Sequence, residues 1–387
     1  MSEQQSKPLV LHLAVDYPNA YRPENTVAVR NFINANKEIE HIVFALTRTS
    51  NPFKVASENG DGKGDMRVIS MRYWGLPFGV FLALSMLIVA YRIQMLLKQR
   101  NIQPTVVHAH KFTFEGIAGW RLARSLHIPL VLSVRGEAES KILRFKPHYQ
   151  PLLQKMVTDA SRIYYVSAWF KPLMNKRFKI QHDKQKLLPN FVAKSTVENH
   201  SELQTNRLVT VLDLNVYQKK GLDRLLPAFA TCLSRYPDAH LDIVGRGEPA
   251  IISEVKQLIS DLKLEQNVSL LGVIPNAELQ AKLASYAGLV LPSHNETFGM
   301  VYVEFLLAGV PILHSSNTGI DGFIDFVEAR VAVDPQDVNA IGEGLLHLLD
   351  NQKTYRTWLV DNRPRIFEVF NQDYYVSDYQ KLVRGSL

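Results

Sequence analysis

Two glutamates, Glu296 and Glu304, stand in the segment of the chain whose residue types are best suited to chemistry. The apolar run 289–293 before them is typical of a buried parallel strand, and the pattern predicts a helix over 298–309. Glu296 then lies in the loop at the carboxyl end of a strand, where α/β sheets bind their ligands. Glu304 lies early in the helix, where its carboxylate can accept two hydroxyl groups.

The start of this predicted helix offers a place for an anion. The backbone amides of Gly299, Met300 and Val301 have no partner within the helix, and the helix dipole is positive there. Two carboxylates with amides between them suit a molecule that has hydroxyls at both ends and phosphate in the middle, which describes a nucleotide sugar. The alternative is an ordinary strand–loop–helix unit of the core whose two glutamates are solvated.

Strand-like runs alternate with helical ones along all 387 residues, which predicts two doubly wound α/β domains. The predicted strands are 10–15, 41–47, 67–72, 106–110, 130–134 and 163–166, then 207–214, 241–244, 268–271, 288–292, 311–314 and 331–333. The predicted helices include 24–37, 80–99, 114–126, 147–159, 222–235, 249–262 and 374–384. Residues 50–65 are expected to form a mobile loop, and the polar stretch 191–206 to link a first domain, 1–190, to a second, 207–370.

Composition indicates a globular protein that works beside an anionic partner. Hydrophobic residues make up 46% and charged residues 21%, and the single cysteine, Cys232, fits a reducing compartment. The polar start of the chain does not resemble a signal peptide. Residues 1–200 carry 28 Lys+Arg and 14 Asp+Glu, giving +14, whereas 201–387 carry 16 and 23, giving −7. The candidates are nucleic acid and the cytoplasmic membrane face, with ordinary surface charge as the alternative; no motif of a known nucleic-acid module appears.

The apolar stretch 74–90 has the composition of a membrane span but not the length. Pro77 and Gly79 place the start of the helix after them, and its apolar part, 80–91, rises only about 18 Å, against ~30 Å of hydrocarbon. Arg92, Lys98 and Arg100 follow. Two interpretations stay open: a helix buried in the core, or a helix lying in the membrane interface with basic flanks.

The pattern E-x-F-G-x4-E, with A-G-V-P after the second glutamate, resembles the donor site of the retaining GT-B glycosyltransferases of family 4. Other motifs of that family follow in order over most of the chain: V-H-A-H at 107–110, Y-V-S at 165–167, L-P-N at 188–190, K-G-L-D at 220–223, V-G-R-G at 244–247 and L-G-V at 271–273. Each is weak alone, and together they are specific. The resemblance implies an α/β GT-B fold, with two Rossmann-like domains facing across a cleft and the last helix, within 371–387, packed back on the first domain.

The resemblance also implies roles for particular residues. Glu296 holds the hydroxyls of the donor sugar, Glu304 holds the ribose, and Lys220 binds the diphosphate. The other expected donor contacts are Phe298, Gly299, Met300, Val301, Asn215, Lys219, Gly221, Gly272 and Val273. The family has no agreed nucleophile, and its implied mechanism is attack on the front face of the sugar. No metal and no cofactor beyond the nucleotide-diphosphate sugar is expected, because the pair His108 and His110 lacks further ligands at a suitable spacing.

Two departures from the family pattern concern positive charge. Asn215 stands where the family carries an arginine five residues before the lysine, and Lys219 is expected to compensate. Arg135 ends a first-domain strand that often reads His-Gly in the family. It is expected to bring a cation to the donor phosphate, or to an acidic group of donor or acceptor; a salt bridge to Glu137 or Glu139 is the alternative.

His110 ends another strand on the same side. It is expected either to touch the sugar or acceptor, or to be a hydrogen-bonded structural histidine. The catalytic candidates are therefore Glu296, Lys220, Arg135 and His110.

These features predict a retaining hexosyltransferase, cytoplasmic and peripheral at the inner face of the plasma membrane. It would move a sugar from a nucleotide-diphosphate sugar to a lipid-linked or polysaccharide acceptor, as in lipopolysaccharide or capsule biosynthesis. The expected partners are the donor, a lipid-linked or glycan acceptor and an anionic membrane surface, but not nucleic acid. The alternatives are a soluble small-molecule glycosyltransferase, a nucleotide-sugar epimerase and a non-catalytic nucleotide-sugar-binding subunit.

Overall fold

A computed structural model describes residues 7–192, 204–294 and 296–385. The chain divides into two units, one formed by Met1–Phe191 with Asn371–Leu387 and the other by Val192–Phe370. Most of the linker expected over 191–206 lies outside the described residues. Phe191 is 3% exposed and packs against Phe32 in the core of the first unit.

The first unit is built on one large sheet. Its strands are β1 (Leu9–Ala14), β2 (Glu40–Thr49), β3 (Ala56–Asn59), β4 (Val68–Trp74), β5 (Val106–Ala109), β6 (Leu130–Val134), β7 (Arg162–Tyr165) and β8 (Gln185–Leu187). They lie in the order β3-β4-β2-β1-β5-β6-β7-β8, and every neighbouring pair is parallel except β3 and β4. The central strands are nearly all apolar because helices cover both faces of a parallel sheet.

The helices of the first unit lie on both faces of this sheet. They are α1 (Ala28–Ala35), α2 (Leu82–Gln99), α3 (Glu115–Leu126), α4 (Glu137–Phe145), α5 (Gln150–Asp159) and α6 (Lys171–Arg177). The helix predicted over 24–37 is shorter in the structure, and α4 and α6 were not predicted. The two cores, one on each face of the sheet, contain the apolar sides of these helices.

Helix α2 is buried on one side, as the first of the two interpretations expected, and its location in a membrane interface stays a prediction. One side, including Leu82, Met86 and Val89, is buried in the core. The other side exposes a continuous apolar stripe at helical spacing, formed by Leu84, Leu87, Ile88, Tyr91 and Met95. With 18 residues and a mean hydropathy of 1.2, the helix is long and apolar enough to cross a membrane by length and composition alone. Its buried side shows that it serves as a core helix of this unit.

The second unit has a wholly parallel sheet. Its strands are β9 (Arg207–Val211), β10 (His240–Val244), β11 (Val268–Gly272), β12 (Gly288–Leu291), β13 (Ile312–Ser315) and β14 (Arg330–Val333), in the order β11-β10-β9-β12-β13-β14. Its helices are α7 (Leu222–Cys232), α8 (Pro249–Asp261), α9 (Asn276–Lys282), α10 (Met300–Leu307), α11 (Val338–Asp350) and α12 (Gln352–Val369). The six strands predicted for this half are confirmed within a few residues.

The last helix, α13 (Gln372–Arg384), belongs to the first unit. Tyr379 and Val383 are fully buried in the core of that unit. The hydroxyl of Tyr379 lies 3.0 Å from Nδ1 of His108 on β5. A helix from the end of the chain thus closes one face of the sheet formed by its beginning.

The prediction of a mobile loop over 50–65 was wrong for part of this range. Residues 56–59 form β3, which pairs antiparallel with β4 from Ala56 opposite Arg72 to Asn59 opposite Ile69. Pro52–Lys54 form a 3-10 turn before it. The polar, Gly-rich composition concealed the strand because an edge strand is stabilised by its backbone partner more than by buried side chains.

Candidate active site

The second unit places its candidate residues where the winding of its sheet reverses. β9 comes first in the chain, β10 and β11 lie on one side of it, and β12 to β14 lie on the other. Parallel sheets bind ligands at the carboxyl ends of the strands at such a reversal. Lys220 follows β9 and Glu296 follows β12, and the structure brings their side chains together.

The turn that carries Lys220 depends on Gly221. This glycine has a φ of +75°, and a Cβ there would lie 2.0 Å from the carbonyl oxygen of Pro292, so a larger residue does not fit. The amide of His294 donates to the carbonyl oxygen of Lys219 at 2.8 Å. The turn after β9 is therefore pressed against the loop after β12, which lets Lys220 reach across.

Glu296 is held from several directions. Nζ of Lys220 bonds to its Oε2, and Oγ of Ser293 donates to the same oxygen at 3.2 Å. Its backbone oxygen accepts from the amide of Gly319 at 2.9 Å and from Oγ1 of Thr318 at 3.0 Å. Burial alone would raise the pKa of Glu296, but the charge and hydrogen bond of Lys220 outweigh it and hold this pKa below its ordinary value. The group is an ionised, fixed carboxylate.

Helix α10 begins at Met300, two residues later than predicted, because Gly299 is left-handed with a φ of +77°. A Cβ at Gly299 would lie 2.4 Å from Cε2 of Tyr302 and 3.4 Å from Cγ of Glu296. The hydroxyl of Tyr302 donates to the last carbonyl of β12 at 2.7 Å and anchors the helix. The amides of Met300 and Val301 open the first turn and have no partner four residues back, so the positive end of α10 lies beside Glu296.

Glu304 lies in the second turn of α10 and has a different electrostatic environment. Burial raises its pKa to about 7, and a hydrogen bond with Gln280 of α9 opposes the rise only in part. At neutral pH, Glu304 is therefore present in both its protonated and its ionised form, whereas Glu296 stays ionised.

The sheet of the first unit reverses its winding between β1 and β5 in the same way. Asp16 follows β1 and Lys111 follows β5, and their side chains pair at 2.7 Å. Arg135 follows β6; its Nε donates to the carbonyl oxygen of His110 at 3.0 Å, and its Nη1 to Asn190 at 3.5 Å. One acid and two cations thus follow three neighbouring strands at this edge of the sheet.

Two fully buried glutamates complete this polar cluster. Burial raises the pKa of Glu115 to about 8 and also raises the pKa of Glu139. Oε1 of Glu115 accepts from the amide of Val15 at 3.2 Å. Within the part of the chain that the structure describes, Oε2 of Glu115 and both carboxyl oxygens of Glu139 are buried without a hydrogen-bond partner. Glu115 therefore favours the neutral form at neutral pH, whereas for Glu139 the direction of the shift is the same.

Three histidines form a hydrogen-bonded chain beneath this cluster. His110 Nε2 lies 3.0 Å from His12 Nδ1, His12 Nε2 lies 3.0 Å from His41 Nδ1, and His41 Nε2 lies 2.9 Å from the carbonyl oxygen of Asn36. Burial lowers the pKa of all three imidazoles, which are therefore neutral. Because the carbonyl of Asn36 can only accept, each neutral ring must donate through Nε2 to the next.

Comparison with known proteins supplies the family. Residues 30–195 match the sequence model of Glycosyltransferase Family 4, and residues 198–362 match that of Glycosyl transferases group 1. The two matches follow one another and correspond to the two units of the structure. This chain is a glycosyltransferase of the group 1 type.

Similar proteins support the same assignment. The alpha-monoglucosyldiacylglycerol synthase of Acholeplasma laidlawii is 24% identical, over 80% of this chain and 81% of its own. The 2-deoxystreptamine N-acetyl-D-glucosaminyltransferase of Niallia circulans is 24% identical, over 79% and 84%. Two solved structures share the fold: sucrose-phosphate synthase of Thermosynechococcus elongatus (TM-score 0.72, 18% identity, 98% of both chains) and Anabaena HepE with UDP and glucose (TM-score 0.68, 15% identity, 98% and 100%). The glycosyltransferase therefore has the predicted GT-B fold.

In this glycosyltransferase, Asn215 has a structural role. Its Oδ1 accepts from the amide of Glu248, the residue that precedes α8, at 2.8 Å. The exposed residue Lys219 lies close enough for its charge to lower the pKa of Glu296, after the larger effects of burial and Lys220. That position agrees with the compensation expected of Lys219, which stays a prediction.

The remaining donor candidates differ in what they expose. The side chain of Phe298 is fully buried against Phe323, with ring centroids 5.3 Å apart, so only its backbone can meet a ligand. Gly272 ends β11 with a φ of +68° and nothing within 4 Å of a Cβ position. Val273 follows it and is 71% exposed. Both lie at the carboxyl edge of the sheet, two strands away from β9.

Arg135 is not the accessible cation that the sequence led us to expect. It is 5% exposed, and burial lowers its pKa while Asp16, Glu115 and Glu139 raise it. Of these three acids, Asp16 has the largest effect on Arg135, and Asp16 also pairs with Lys111. The ion pair formed by Glu137 is with Lys141, at 3.5 Å. His110 is likewise buried and hydrogen-bonded, as the structural alternative described.

The argument that His108 and His110 lack a third ligand was wrong. His12, on the neighbouring strand, brings a third imidazole, and the nitrogens of the three lie within 4.8 Å of one another. The register of β1 on β5 places His12 opposite His108, which the sequence did not show. His108 already bonds to Tyr379 and, at 2.9 Å, to Ser133. Hydrogen bonds to the protein thus account for both ring nitrogens of His12 and His108 and for Nε2 of His110.

Sequence reasoning missed the residues that support the two glutamates of the candidate donor site. Ser293, Thr318 and Gly319 fix Glu296, and Gln280 contacts Glu304. Thr318 and Gly319 follow β13, so only the strand order brings them to Glu296. The acids Glu115 and Glu139 were also missed as a pair, because nothing in their spacing shows that they are buried.

Proposed function

We propose that this glycosyltransferase transfers a sugar, with retention of anomeric configuration, from a nucleotide-diphosphate sugar to a lipid-linked or polysaccharide acceptor at the cytoplasmic face of the membrane. The observation that carries the proposal is the pair of Lys220 and Glu296 at the reversal of the second sheet, beside the first turn of α10. It combines a cation, unpaired amides and a fixed carboxylate within one small region.

Each part of this region suits one part of the donor. The ammonium of Lys220 has three N–H donors, so that it can bond to Glu296 and to a phosphate oxygen together. The amides of Met300 and Val301 and the positive end of α10 stabilise the charge that develops on the leaving diphosphate. Ionised Glu296 can only accept hydrogen bonds, which suits it to orienting sugar hydroxyls. Glu304 accepts the hydroxyls of the ribose.

Retention follows if the acceptor hydroxyl attacks the face from which the diphosphate departs. The bond from the anomeric carbon to the acceptor oxygen forms as the bond to the phosphate oxygen breaks, and the hydroxyl proton passes to that phosphate oxygen. No protein base is then needed. The relative from Acholeplasma supports this outcome, because its name describes an α-linked product and common nucleotide sugars are α-linked.

The exposed stripe of α2 supports work at a membrane. Just before this helix, Phe78 and Phe81 have φ values of 55° and 53°, a left-handed conformation that costs bulky residues on the order of 1–3 kcal/mol. Phe78 is nevertheless 95% exposed and Phe81 62% exposed. A strained backbone that holds phenylalanine in water is explained if the side chain enters lipid, and the basic first half adds attraction to anionic headgroups.

The test begins with donor binding, measured by thermal shift across a panel of nucleotide sugars that starts with UDP-glucose and UDP-N-acetylglucosamine. A donor at 100 times its Kd should stabilise the protein by about 2.7 kcal/mol. Glu304→Gln should weaken this binding, and Glu296→Gln should mainly lower kcat. Product anomers are then assigned by NMR. Inversion of configuration would exclude the proposed chemistry, and binding without turnover of any acceptor would favour a non-catalytic subunit.

A soluble small-molecule transferase is the second candidate, favoured by the name of the relative from Niallia circulans. The two candidate functions predict different effects of a membrane on binding and on activity. Anionic vesicles should retain the enzyme at low salt and should raise transfer to a lipid acceptor. Rapid transfer to free aminocyclitols, with no retention by vesicles, would support the second candidate.

A further inference from the structure

A half-enclosed cavity of about 570 Å³ lies in the first unit, between the end of β4, the start of α2 and helix α4. Its walls are mostly apolar, and Tyr73, Leu76, Phe78, Ile142 and Phe145 supply much of them. Phe78 and Phe145 are 95% and 69% exposed, so they form its rim. The volume falls within the range of ~300–1,000 Å³ that is usual for small-molecule sites.

The charged groups of this cavity all have the same sign. Among the described residues that line it, the charged ones are Arg48, Lys141 and Lys146, all cations. The alkyl stem of Lys146 lies against Gly79, with Cε 3.3 Å from a Cβ position there, so the stem of this lysine forms part of the apolar wall. An apolar slot with cations at its edge is complementary to an amphiphile with an anionic head.

We propose that this cavity binds one alkyl chain of a phosphate-bearing amphiphile, whose phosphate pairs with Lys141 and Lys146, and that this amphiphile is the acceptor. The proposal rests on the proposed function and names the chemical class of its acceptor. The alkyl chain enters from the side of Phe78, which precedes α2 and its exposed stripe. An acceptor could therefore keep the rest of its apolar part in the membrane while one chain is held by the protein.

The cavity shares walls with the polar cluster at the carboxyl edge of the first sheet. Phe114 lines the cavity, and the next residue, Glu115, belongs to the cluster. Tyr73 also lines the cavity; burial raises its pKa, and the nearby charge of Glu115 raises it further. On α4, Ile142 faces the cavity one turn, or ~4.5 Å, after Glu139. An amphiphile in the cavity thus has its head near the edge of the sheet where ligands of such folds bind.

Ser85 provides a variant that fills the cavity without touching the charged rim. It is 3% exposed, lines the cavity, and its hydroxyl has no hydrogen-bond partner among the described residues. Ser85→Phe places a ring inside. Leu84→Phe is the matched control, since Leu84 is the preceding residue of α2, is 51% exposed and does not line the cavity.

The experiment measures Kd by calorimetry for butyl, hexyl and octyl phosphate, all below their critical micelle concentrations. Inorganic phosphate serves as the probe without a chain, and octyl glucoside as the probe without charge. For the wild type, affinity should rise by roughly fourfold per methylene, which corresponds to about 0.8 kcal/mol. Octyl glucoside should bind at least about tenfold more weakly than octyl phosphate, and Lys141→Ala with Lys146→Ala should remove that difference.

Ser85→Phe should abolish the dependence on chain length, and Leu84→Phe should preserve it. The same slope in Ser85→Phe would assign the chain to the exposed stripe and overturn the proposal. So would equal affinity for octyl glucoside and octyl phosphate in the wild type. If Ser85→Phe does not unfold cooperatively, Val80→Trp replaces it, since Val80 lines the cavity at a 42% exposed position.

Donor binding, measured on the same proteins, separates this proposal from the proposed function. If the protein binds a donor but its Kd for the alkyl phosphates does not depend on chain length, the cavity proposal is refuted and the proposed function is not. A normal series without binding or turnover of any nucleotide sugar refutes the proposed function, and with it the assignment of the amphiphile as acceptor.

Discussion

The pKa of Glu304 should make donor binding depend on pH in a calculable way. Burial raises this pKa to about 7. Ribose hydroxyls donate to an ionised carboxylate, whereas a protonated one has lost part of its capacity to accept. Binding of the donor should therefore require loss of the proton, so that affinity is full above this pKa and falls as the pH is lowered through it.

The size of the effect follows from the ionised fraction of Glu304. With a pKa of about 7, about 90% of the free protein is ionised at pH 8 and about 10% at pH 6. If the bound form stays ionised throughout, Kd should increase about tenfold from pH 8 to pH 6, or by about 1.4 kcal/mol. At pH 7, about half a proton should be released for each donor bound.

Calorimetry in two buffers of different ionisation enthalpy measures both Kd and proton release. The donor should be an intact UDP-sugar, since both of its phosphates are esterified and do not titrate in this range. Glu304→Gln keeps the size and polarity of the side chain but removes the titration, so its Kd should be weaker and constant between pH 6 and pH 8. A wild-type Kd that is constant over this range, or a slope that survives in Glu304→Gln, would refute the reasoning.

Three further predictions follow from charge and exposure. Lys220→Ala should weaken binding of a nucleotide diphosphate by tenfold to a hundredfold in calorimetry, because a charged hydrogen bond contributes about 1.5–3 kcal/mol; Lys219→Ala, at an exposed position, should cost less, and equal losses would contradict the assignment. Glu115 has a pKa of about 8 in the folded protein, above its unfolded value, so its contribution to stability is full at low pH and is lost as the pH rises towards 8, by up to about 1.4 kcal/mol per unit. Glu115→Gln should therefore raise Tm relative to the wild type at pH 8.5 but not at pH 4.5, and a difference in Tm that does not change with pH would contradict this. Phe78→Ser should reduce flotation with anionic vesicles by about tenfold at low salt, since burying a phenylalanine contributes about 1.5–3 kcal/mol; Phe367→Ser, an exposed position of α12, should not, and equal effects would argue against the stripe.

The pairing of Lys220 and Glu296 at the candidate donor site was largely predictable because the parts of that site are local in sequence. The strand before Glu296, the helix after it and the glycine beside Lys220 each leave a short signature. Strand alternation then gave the fold, and the order of the motifs placed Lys220 and Glu296 on the same edge of one sheet. The start of α10 differed by two residues because the left-handed Gly299 is a property of the backbone that the pattern does not encode.

The first unit was less predictable because its features depend on contacts between distant residues. His12 joins His110 only through the register of β1 on β5. We predicted that Arg135 is accessible because the end of a strand usually is. In the structure it is buried near three acids from separate elements. Helix α2 is apolar on all sides in the sequence, and only packing shows which side is left for another partner. Composition can indicate that a surface is available, but not which residues form it.

Each sheet reversal carries an ion pair, and the two differ in the protonation of a nearby acid. At the reversal of the second unit, Lys220 keeps Glu296 ionised, so that site holds a fixed negative charge and a fixed positive one. At the reversal of the first unit, Asp16 and Lys111 also form an ion pair, but burial raises the pKa of Glu115 to about 8 and favours its neutral form. If attack occurs on the front face, the proton that reaches the leaving phosphate comes from the acceptor. The protein then stabilises this phosphate by permanent charges and not by donating a proton. A neutral carboxyl group such as that of Glu115 can donate a hydrogen bond as well as accept one, whereas ionised Glu296 can only accept.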